Sequence, residues 1–461
     1  MRAKLKLVSL WLACGAAAMA CAVGSDENGS APAVPGDAST VPAEAGHDAT
    51  SPPASDEAGD DATVDPPPPP RDAGVDATAL SDDSGSGSGS DSAADSGSDS
   101  GSDSGSDSGS DSAADSAADS AADTGTDAGP SPTTVFVSRV GDGSAALSPS
   151  SMPLFLEERS ITDGALVRTL TMPTAAAGAQ QAFTISGTAS SEGALALSVD
   201  GHFVTLAGYA VGPGTATVSN TPASSVHRVV ARVGVMGNID TSTLLGDGFS
   251  SDNARGAVSL DGTAFWASGN GNGVNGGLLY AALGNTAAPT QVLATPGNTR
   301  VVAIAGGQLY TTSGTATFDG VCSVGAGTPS ATAQSATRVT GSGGSPYGFA
   351  VLDRDPAVAG MDTIYVADDR APASGGGVQK WTYNGTTWSL AKTINTGLSG
   401  LGARGLAAFP SQASVRLVVT TAETPTRLVA YVDDGSATLP LVPLATAATN
   451  TAFRGVATAP R

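Results

Sequence analysis

The stretch that decides the fold is GALALSVDG at residues 193–201, which is followed by HFVTL at residues 202–206. Small and apolar residues alternate along the first run, an Asp-Gly pair ends it, and the second run carries bulkier side chains. Alternation with a period of two is typical of a β-strand, and Asp-Gly between two such runs favours a tight hairpin turn. The unit recurs as GAVSLDG at residues 256–262, followed by TAFW at residues 263–266. The chain therefore contains an internal repeat of a small-residue strand, a turn and a bulkier strand.

Weaker copies of this unit begin at residues 301, 348, 405 and 455, so successive starts are about 45 to 63 residues apart. Two further apolar runs fit into most of the gaps, for example GLLY at residues 277–280 and QVL at residues 291–293. Each repeat therefore holds four strands. The spacing is close to the ~40–50 residues of a propeller blade.

The copy at residues 455–461 has no second strand after it. The globular part opens with three runs that lack a first strand, at residues 135–137, 153–156 and 166–170. Pairing the C-terminal strand with these runs completes a sixth unit and removes an open junction. We therefore predict an all-β fold, a six-bladed β-propeller of four-stranded blades at residues 133–461, closed by the C-terminal strand. A row of immunoglobulin-like sandwiches is the alternative, although it would need units of ~100 residues.

Residues 22–132 differ sharply in composition from the repeats. They hold 24 acidic residues, one basic residue, no Phe, Trp or Tyr, and a single leucine. Such a segment cannot bury enough apolar surface to offset the entropy of ordering it, so we predict a disordered acidic tether at residues 21–132. Aspartate recurs at every fourth position from Asp91 to Asp127, and a solvated spacer is favoured over a calcium-binding repeat because nothing preorganises the carboxylates. A flexible coil of this length reaches roughly 55–65 Å.

The composition of residues 133–461 excludes several function classes. This part holds 19 acids and 17 bases, and such a nearly neutral balance argues against a nucleic-acid binder that relies on positive charge. Three histidines and three cysteines occur in the whole chain without metal-ligand spacing, which argues against a zinc enzyme. We therefore expect no metal, no cofactor and no nucleic-acid partner.

The first twenty residues have the pattern of a signal peptide. Three basic residues lie within the first six positions, and an apolar run at residues 7–20 follows that is short for a membrane-spanning helix. The run ends in AMAC at residues 18–21, where small residues stand directly before Cys21. The alternative is an ordinary secretory signal that is cut after Ala20.

The AMAC sequence resembles the lipobox of bacterial lipoproteins, and the chain as a whole resembles surface-tethered bacterial lipoproteins that carry a β-propeller. The resemblance implies that residues 1–20 are a lipoprotein signal peptide, that Cys21 is acylated, with palmitate for example, and that the exported protein is lipid-anchored. Because Ala22 and not Asp follows the cysteine, it also implies the outer membrane. There the propeller can face the outside of the cell. We expect a monomer whose only membrane contact is the lipid anchor.

Charged residues recur just before the first strand of the repeats. These positions are occupied by Glu192, Arg255, Arg300, Tyr347, Arg404 and Arg454. In a propeller they lie at the mouth of the central channel, where several guanidiniums would bind a carboxylate, sulfate or phosphate. The alternative is that each arginine only connects neighbouring blades, since a repeat produces equivalent residues without any ligand.

An aromatic platform is a second, weaker candidate site. The segment KWTYNGTTW at residues 380–388 holds Trp381, Tyr383 and Trp388. An Asn-Gly turn is expected to pair Tyr383 with Thr386 and Trp381 with Trp388, which places the three rings on one face. Such a face could stack on a sugar ring, and a packing patch is the alternative.

Three functions are consistent with these features. The first is a non-catalytic recognition module whose ligand is a small anion, a glycan or a protein. The second is an extracellular hydrolase or lyase acting on a polymer with acids such as Asp200, Asp261 or Glu192 near the channel. The third is a passive envelope-structural protein. We favour recognition, because an enzyme needs an acid or base beside the arginines and only Glu192 shares their repeat position.

Overall fold

The computed structural model describes residues 133–271, 275–341 and 343–461. The predicted signal peptide, the lipidation site Cys21 and the predicted tether lie outside the described residues. Within the described part, the chain forms strands and two 3-10 helices without an α-helix, and no helix there is long and apolar enough to cross a membrane.

In chain order, the strands are β1 (Thr134–Val140), β2 (Ser151–Ser160), β3 (Leu166–Thr171), β4 (Thr184–Ser186), β5 (Ala196–Leu197), β6 (Phe203–Tyr209), β7 (Arg228–Gly234), β8 (Ile239–Leu244), β9 (Ala254–Val258), β10 (Ala264–Gly269), β11 (Gly277–Ala282), β12 (Thr290–Leu293), β13 (Val302–Ala305), β14 (Gln308–Ser313), β15 (Gly320–Val324), β16 (Ala336–Arg338), β17 (Pro346–Leu352), β18 (Thr363–Asp368), β19 (Gly377–Tyr383), β20 (Trp388–Ile394), β21 (Ala403–Pro410), β22 (Val415–Thr421), β23 (Arg427–Asp433), β24 (Val442–Thr446) and β25 (Ala452–Thr458). The 3-10 helices are Val218–Asn220 and Pro372–Ser374.

The strands form antiparallel sheets that follow the chain. Four sheets have four strands each, in the orders β12-β11-β10-β9, β13-β14-β15-β16, β17-β18-β19-β20 and β21-β22-β23-β24. A nine-stranded sheet contains two further four-stranded units, β25-β1-β2-β3 and β5-β6-β7-β8, which β4 joins. The prediction of an all-β chain built from four-stranded antiparallel units is confirmed.

Two strand pairings in the nine-stranded sheet join parts of the chain that belong to different repeats. β25 pairs antiparallel with β1, so that Val456 lies opposite Val137. β4 pairs with both β2 and β6, through Ile185 to Met152 and through Thr184 to Tyr209. The sequence repeat does not predict β4, because this strand belongs to the connection between two units and to neither of them.

One edge strand of each four-stranded unit contacts the equivalent strands of its neighbours. We call β25, β5, β9, β13, β17 and β21 the inner strands. Glycine permits the close approach of these strands. A Cβ at Gly348 would lie 2.7 Å from the carbonyl oxygen of Arg404, and a Cβ at Gly405 would lie 2.9 Å from that of Arg454. A larger residue at either position would push neighbouring units apart.

The apolar cores lie between neighbouring units. One cluster combines Val258 and Leu278 of the β9–β12 sheet with Val302 and Leu309 of the β13–β16 sheet, and all four side chains are buried. Each such burial contributes about 1.5–3 kcal/mol. Alternating apolar positions on the strands therefore hold consecutive units face to face.

Buried hydroxyl groups also connect the units, a feature that the sequence analysis missed. Each comes from a second strand and donates a hydrogen bond to a carbonyl at or beside the next inner strand. The donors and their acceptors are Ser138 to Gly193, Thr205 to Ala257, Ser268 to Arg300, Thr312 to Tyr347 and Thr420 to Arg454. Between the β17–β20 and β21–β24 units, the ion pair of Arg404 with Asp369 makes the connection instead. Each hydrogen bond contributes about 1 kcal/mol and holds one unit at a fixed position along the inner strand of the next.

Candidate functional site: a channel lined by the inner strands

A cavity of about 170 Å³ lies between the inner strands, and all six of them contribute to its lining. Polar side chains line one end of it, where the inner strands begin, and these are Ser190, Ser191, Glu192, Tyr347, Arg404 and Arg454. Beyond them, the walls consist of aliphatic side chains, glycines and one phenylalanine, with Thr458 near the ends of the strands. The cavity is therefore an apolar channel with a charged mouth.

Arg454 is the most deeply buried of the arginines in this lining, with 8% of its surface exposed. Its Nη2 group donates to the carbonyl oxygen of Gly187 at 2.7 Å, and its Nε has no acceptor among the described residues. No carboxylate of the described part forms an ion pair with it. Burial, together with the charge of Arg404, lowers the pKa of Arg454 to about 10, so the side chain is still cationic at neutral pH.

Arg404 also lines the channel but has a carboxylate partner. Its Nε and Nη2 groups both contact Asp369 Oδ2, at 3.1 and 3.0 Å. Both side chains of this ion pair are mostly buried. One of the two lining arginines is thus neutralised within the protein, whereas Arg454 is not.

Tyr347 lies between two guanidinium groups. The carbon Cζ of Arg300 is 4.3 Å from the centre of the Tyr347 ring, and that of Arg404 is 5.5 Å away. Cation–π contacts at these distances favour a charged guanidinium by about 0.5–2 kcal/mol. The tyrosine in this repeat position therefore orients the arginines of the neighbouring units.

Arg255 and Arg300 begin their inner strands as predicted, but they are not among the residues that line the channel. Arg255 donates to Asn298 Oδ1 and, at 2.8 Å, to the carbonyl oxygen of Thr299. Its Nε has no acceptor among the described residues. Arg300 donates to Ser345 Oγ at 2.9 Å and to the Pro346 carbonyl oxygen at 3.1 Å. These two arginines connect neighbouring units, as the alternative interpretation expected.

Glu192 is a buried carboxyl group at the channel mouth, with 1% of its surface exposed. It accepts hydrogen bonds from the Tyr209 hydroxyl at 2.5 Å, from Asn253 Nδ2 at 2.6 Å and from the Ser186 amide at 2.7 Å. Burial raises the pKa of Glu192 in spite of these donors. The carboxyl group therefore gains a proton more readily than an exposed glutamate does.

The partners of Glu192 were not predicted from the sequence. Tyr209 is fully buried, and Arg228 lies over its ring at 5.0 Å and donates only to backbone carbonyl groups. One feature of the sequence could have indicated them: an asparagine stands two residues before Arg255 and two residues before Arg300. The first of these, Asn253, donates to Glu192, and the second, Asn298, accepts from Arg255.

Asp200 and Asp261, which were expected near the channel, do not line the cavity. Both follow the inner strands in tight turns, where Asp200 accepts from Ser198 Oγ and Asp261 accepts from Thr263 Oγ1. Neither lines the cavity, because the turn after each inner strand lies at the far end from the arginines. Of the three acids considered from the sequence, only Glu192 lies in the channel lining.

The aromatic hairpin has a different register from its prediction. Tyr383 pairs with Trp388, and Trp381 pairs with Leu390. The side chain of Asn384 accepts the amide hydrogens of Thr386 and Thr387, which makes a longer turn than the two residues expected. The Tyr383 and Trp388 rings lie 5.2 Å apart, and Trp381 and Trp388 pack against a buried cluster between two units.

No group of three or more His, Cys, Asp or Glu side chains in the described part of the chain could hold a metal ion. Burial raises the pKa of the Cys322 thiol to about 12, so this buried side chain is not a nucleophile at neutral pH. At the channel mouth, a cavity and charged side chains coincide.

No protein-family model matches the chain, and no curated protein matches it significantly. Solved structures are similar to it at low identity. The periplasmic gluconolactonase PpgL of Pseudomonas aeruginosa is 13% identical over 67% of this chain and 82% of that chain, with a TM-score of 0.38. A gluconolactonase of Xanthomonas campestris is 11% identical over 70% and 89%, with a TM-score of 0.34. AztD of Citrobacter koseri is 10% identical over 70% and 97%, with a TM-score of 0.31. At such values the similarity says nothing about what this chain binds.

Proposed function

We propose that residues 133–461 form a closed six-bladed β-propeller that recognises a small anionic ligand at its channel mouth without converting it. Arg454 is the central binding residue, and Arg404 and Tyr347 complete the site. We further propose that residues 1–132 export this domain and tether it, through acylated Cys21, to the outer membrane.

The charge of Arg454 carries the proposal. Buried charges are normally paired with an opposite charge, because desolvation of an ion costs several kcal/mol. Arg454 is nine-tenths buried, has one carbonyl acceptor for its guanidinium and lines a cavity. A ligand anion in the mouth would supply the missing charge.

The closed six-bladed arrangement is supported by the contacts between units. Each of the six four-stranded units is connected to the next by a buried hydrogen bond or an ion pair near its inner strand, and the first unit contains strands from both ends of the described part. Closure of this kind leaves no open edge between first and last units.

The tether is supported by composition alone. Its acidic, low-hydrophobicity sequence keeps a domain clear of a membrane surface, and an acyl anchor with more than one chain holds such a protein stably.

A hydrolase or lyase is the second candidate function, and the raised pKa of Glu192 favours it. A protonated carboxyl group at a channel mouth can act as a general acid. Against this, both oxygens of Glu192 already accept hydrogen bonds from protein donors, and no second carboxylate of the described residues lines the cavity.

Calorimetric titration of the purified full-length protein with acetate, at constant ionic strength, tests the recognition proposal. The variant Arg454→Met removes the charge at similar volume. Because a hydrogen-bonded charged group contributes ~1.5–3 kcal/mol, the affinity should fall about 10- to 100-fold. Arg454→Lys keeps the charge but loses the planar fork and should give an intermediate affinity.

The matched control is Arg338→Met, since Arg338 pairs with Asp319 near the surface and lies away from the channel. This control should bind acetate like the parent protein. Equal acetate affinity in all four proteins, or binding in none of them, would reject recognition at Arg454. Turnover of a polymer that is lost in Glu192→Gln would favour the second candidate.

A further inference from the structure

Resting on the proposed anion site, we propose that the ligand is a small monocarboxylate with an apolar tail, its carboxylate at Arg454 and its tail in the channel between the inner strands. This proposal names the ligand class, which neither the site's charge nor the fold specifies by itself.

The number of charges in the lining points to a monoanion. Of the two arginines that line the cavity, Arg404 is paired with Asp369, and Arg454 has no ionic partner in the described part. One negative charge therefore balances the lining while Glu192 is protonated. A dianion such as sulfate would leave one charge in excess, next to the Glu192 carboxyl group.

The shape of the charged group points to a carboxylate. A guanidinium is a planar fork that matches the two oxygens of a carboxylate in a bidentate arrangement. The Arg454 guanidinium lines the cavity and donates one hydrogen bond, to Gly187, so it retains capacity for a second partner.

The walls of the channel point to an apolar tail. Below the mouth, the lining includes Leu195, Val302, Ile304, Phe349, Leu406 and Val456. These side chains offer no partner to the hydroxyl groups of a sugar, which would lose part of their hydrogen bonds to water on entry. An aliphatic or aromatic tail loses nothing there and gains by leaving water.

The size of the channel limits the tail. A cavity of about 170 Å³ is close to the ~150 Å³ of an engineered apolar cavity that binds benzene. Arg454 and Ala457 are three residues apart on β25, which corresponds to about 10 Å of strand. A tail of about five or six carbon atoms therefore fits between the mouth and the far end.

Calorimetric titration of the full-length protein with acetate, butanoate and hexanoate, beside 1-hexanol and sulfate, tests the proposal. The association constant should rise about fourfold for each added methylene group, which corresponds to ~0.8 kcal/mol per buried CH₂. Hexanol lacks the charge and sulfate lacks the tail, so both should bind at least tenfold more weakly than hexanoate.

A variant inside the channel provides an independent test. Ala350 lines the cavity from β17, and Ala350→Leu should lower the ratio of hexanoate to acetate affinity at least fivefold. The matched control is Ala282→Leu on the exposed end of β11, which should leave the ratio at the parent value. Urea unfolding of both variants verifies that they fold.

The outcomes separate this proposal from the one on which it rests. If acetate binding depends on Arg454 but the affinity does not increase with tail length, the apolar tail is ruled out and the anion site is retained. Binding of hexanoate and hexanol with equal affinity would overturn the carboxylate. Absence of any Arg454-dependent binding would overturn both.

Discussion

Two buried charges in this protein differ in what surrounds them. Asp433 is 3% exposed and contacts three side-chain donors, Lys380 Nζ at 2.8 Å, Lys392 Nζ at 2.7 Å and the Tyr365 hydroxyl at 2.6 Å. Arg454 is almost as buried, yet it has one carbonyl acceptor and no ionic partner within the described residues. A fully partnered buried charge connects two sheets, whereas a partly partnered one at a cavity is available to a ligand.

The largest expected effect concerns the partnered charge. Asp433→Asn leaves two partly buried lysines without their carboxylate, and removal of one member of such a buried cluster destabilises a protein by ~3–5 kcal/mol. The free energy of unfolding in urea measures this change. The neighbouring Asp434→Asn is the control, since Asp434 is exposed and accepts only from Ser436. Similar losses in both variants would contradict a special role for Asp433.

The pH dependence of stability sharpens the same contrast. Although burial alone would raise it, the hydrogen bonds from Lys380 and Lys392 hold the pKa of Asp433 well below its usual range. A carboxylate whose folded-state pKa is depressed contributes stability that is fully present above its unfolded pKa of ~3.9. That stability is lost as the pH falls toward the folded-state pKa. The difference in unfolding free energy between the parent and Asp433→Asn should therefore shrink below about pH 4, and a constant difference down to pH 2 would contradict this account.

The next largest expected effect is that of Glu192 on acetate binding. Its pKa is raised by burial, so it is neutral at low pH and becomes a carboxylate near Arg454 as the pH rises through that pKa. An ionised Glu192 competes with the ligand anion for the same positive charge. Acetate affinity should therefore be up to tenfold higher below this pKa than above it, and Glu192→Gln should remove the dependence. Titrations from pH 5.5 to pH 8, where acetate remains an anion, measure it, and identical profiles for the two proteins would disprove the coupling.

The smallest expected effect is that of Tyr347. Its ring lies against Arg300 and Arg404, so Tyr347→Leu removes cation–π contacts worth about 0.5–1 kcal/mol. Acetate affinity should fall about two- to fivefold in Tyr347→Leu and stay near the parent value in Tyr347→Phe, which keeps the ring. An equal loss in both variants would show that the hydroxyl, and not the ring, matters.

Much of the fold could be predicted because the repeat is visible in the sequence. Period-two alternation predicted the strands, and the turns after the inner strands carry glycines with positive φ, at Gly201, Gly262, Gly306 and Gly307. The register of the Trp381–Trp388 hairpin could not be predicted, because the side chain of Asn384 closes the turn. The dipeptide alone does not reveal that choice.

The candidate site could be predicted in part. Repeat position placed Arg404, Arg454, Tyr347 and Glu192 together, and all four line the channel. Which arginine is already neutralised could not be predicted, since Asp369 lies in a loop after β18 and outside the repeated pattern. The carboxylate partner of an arginine comes from loops of this kind, whose sequences the repeat does not specify.

The most direct test of the central claim compares the unfolding free energies of the full-length parent and Arg454→Met with increasing acetate, at constant ionic strength. An anion that binds only the folded state stabilises it by RT ln(1 + [L]/Kd). We predict that acetate stabilises the parent and leaves Arg454→Met unchanged, and that without acetate the variant is at least as stable as the parent. If acetate stabilises neither protein and the variant is several kcal/mol less stable than the parent, then Arg454 only connects neighbouring units.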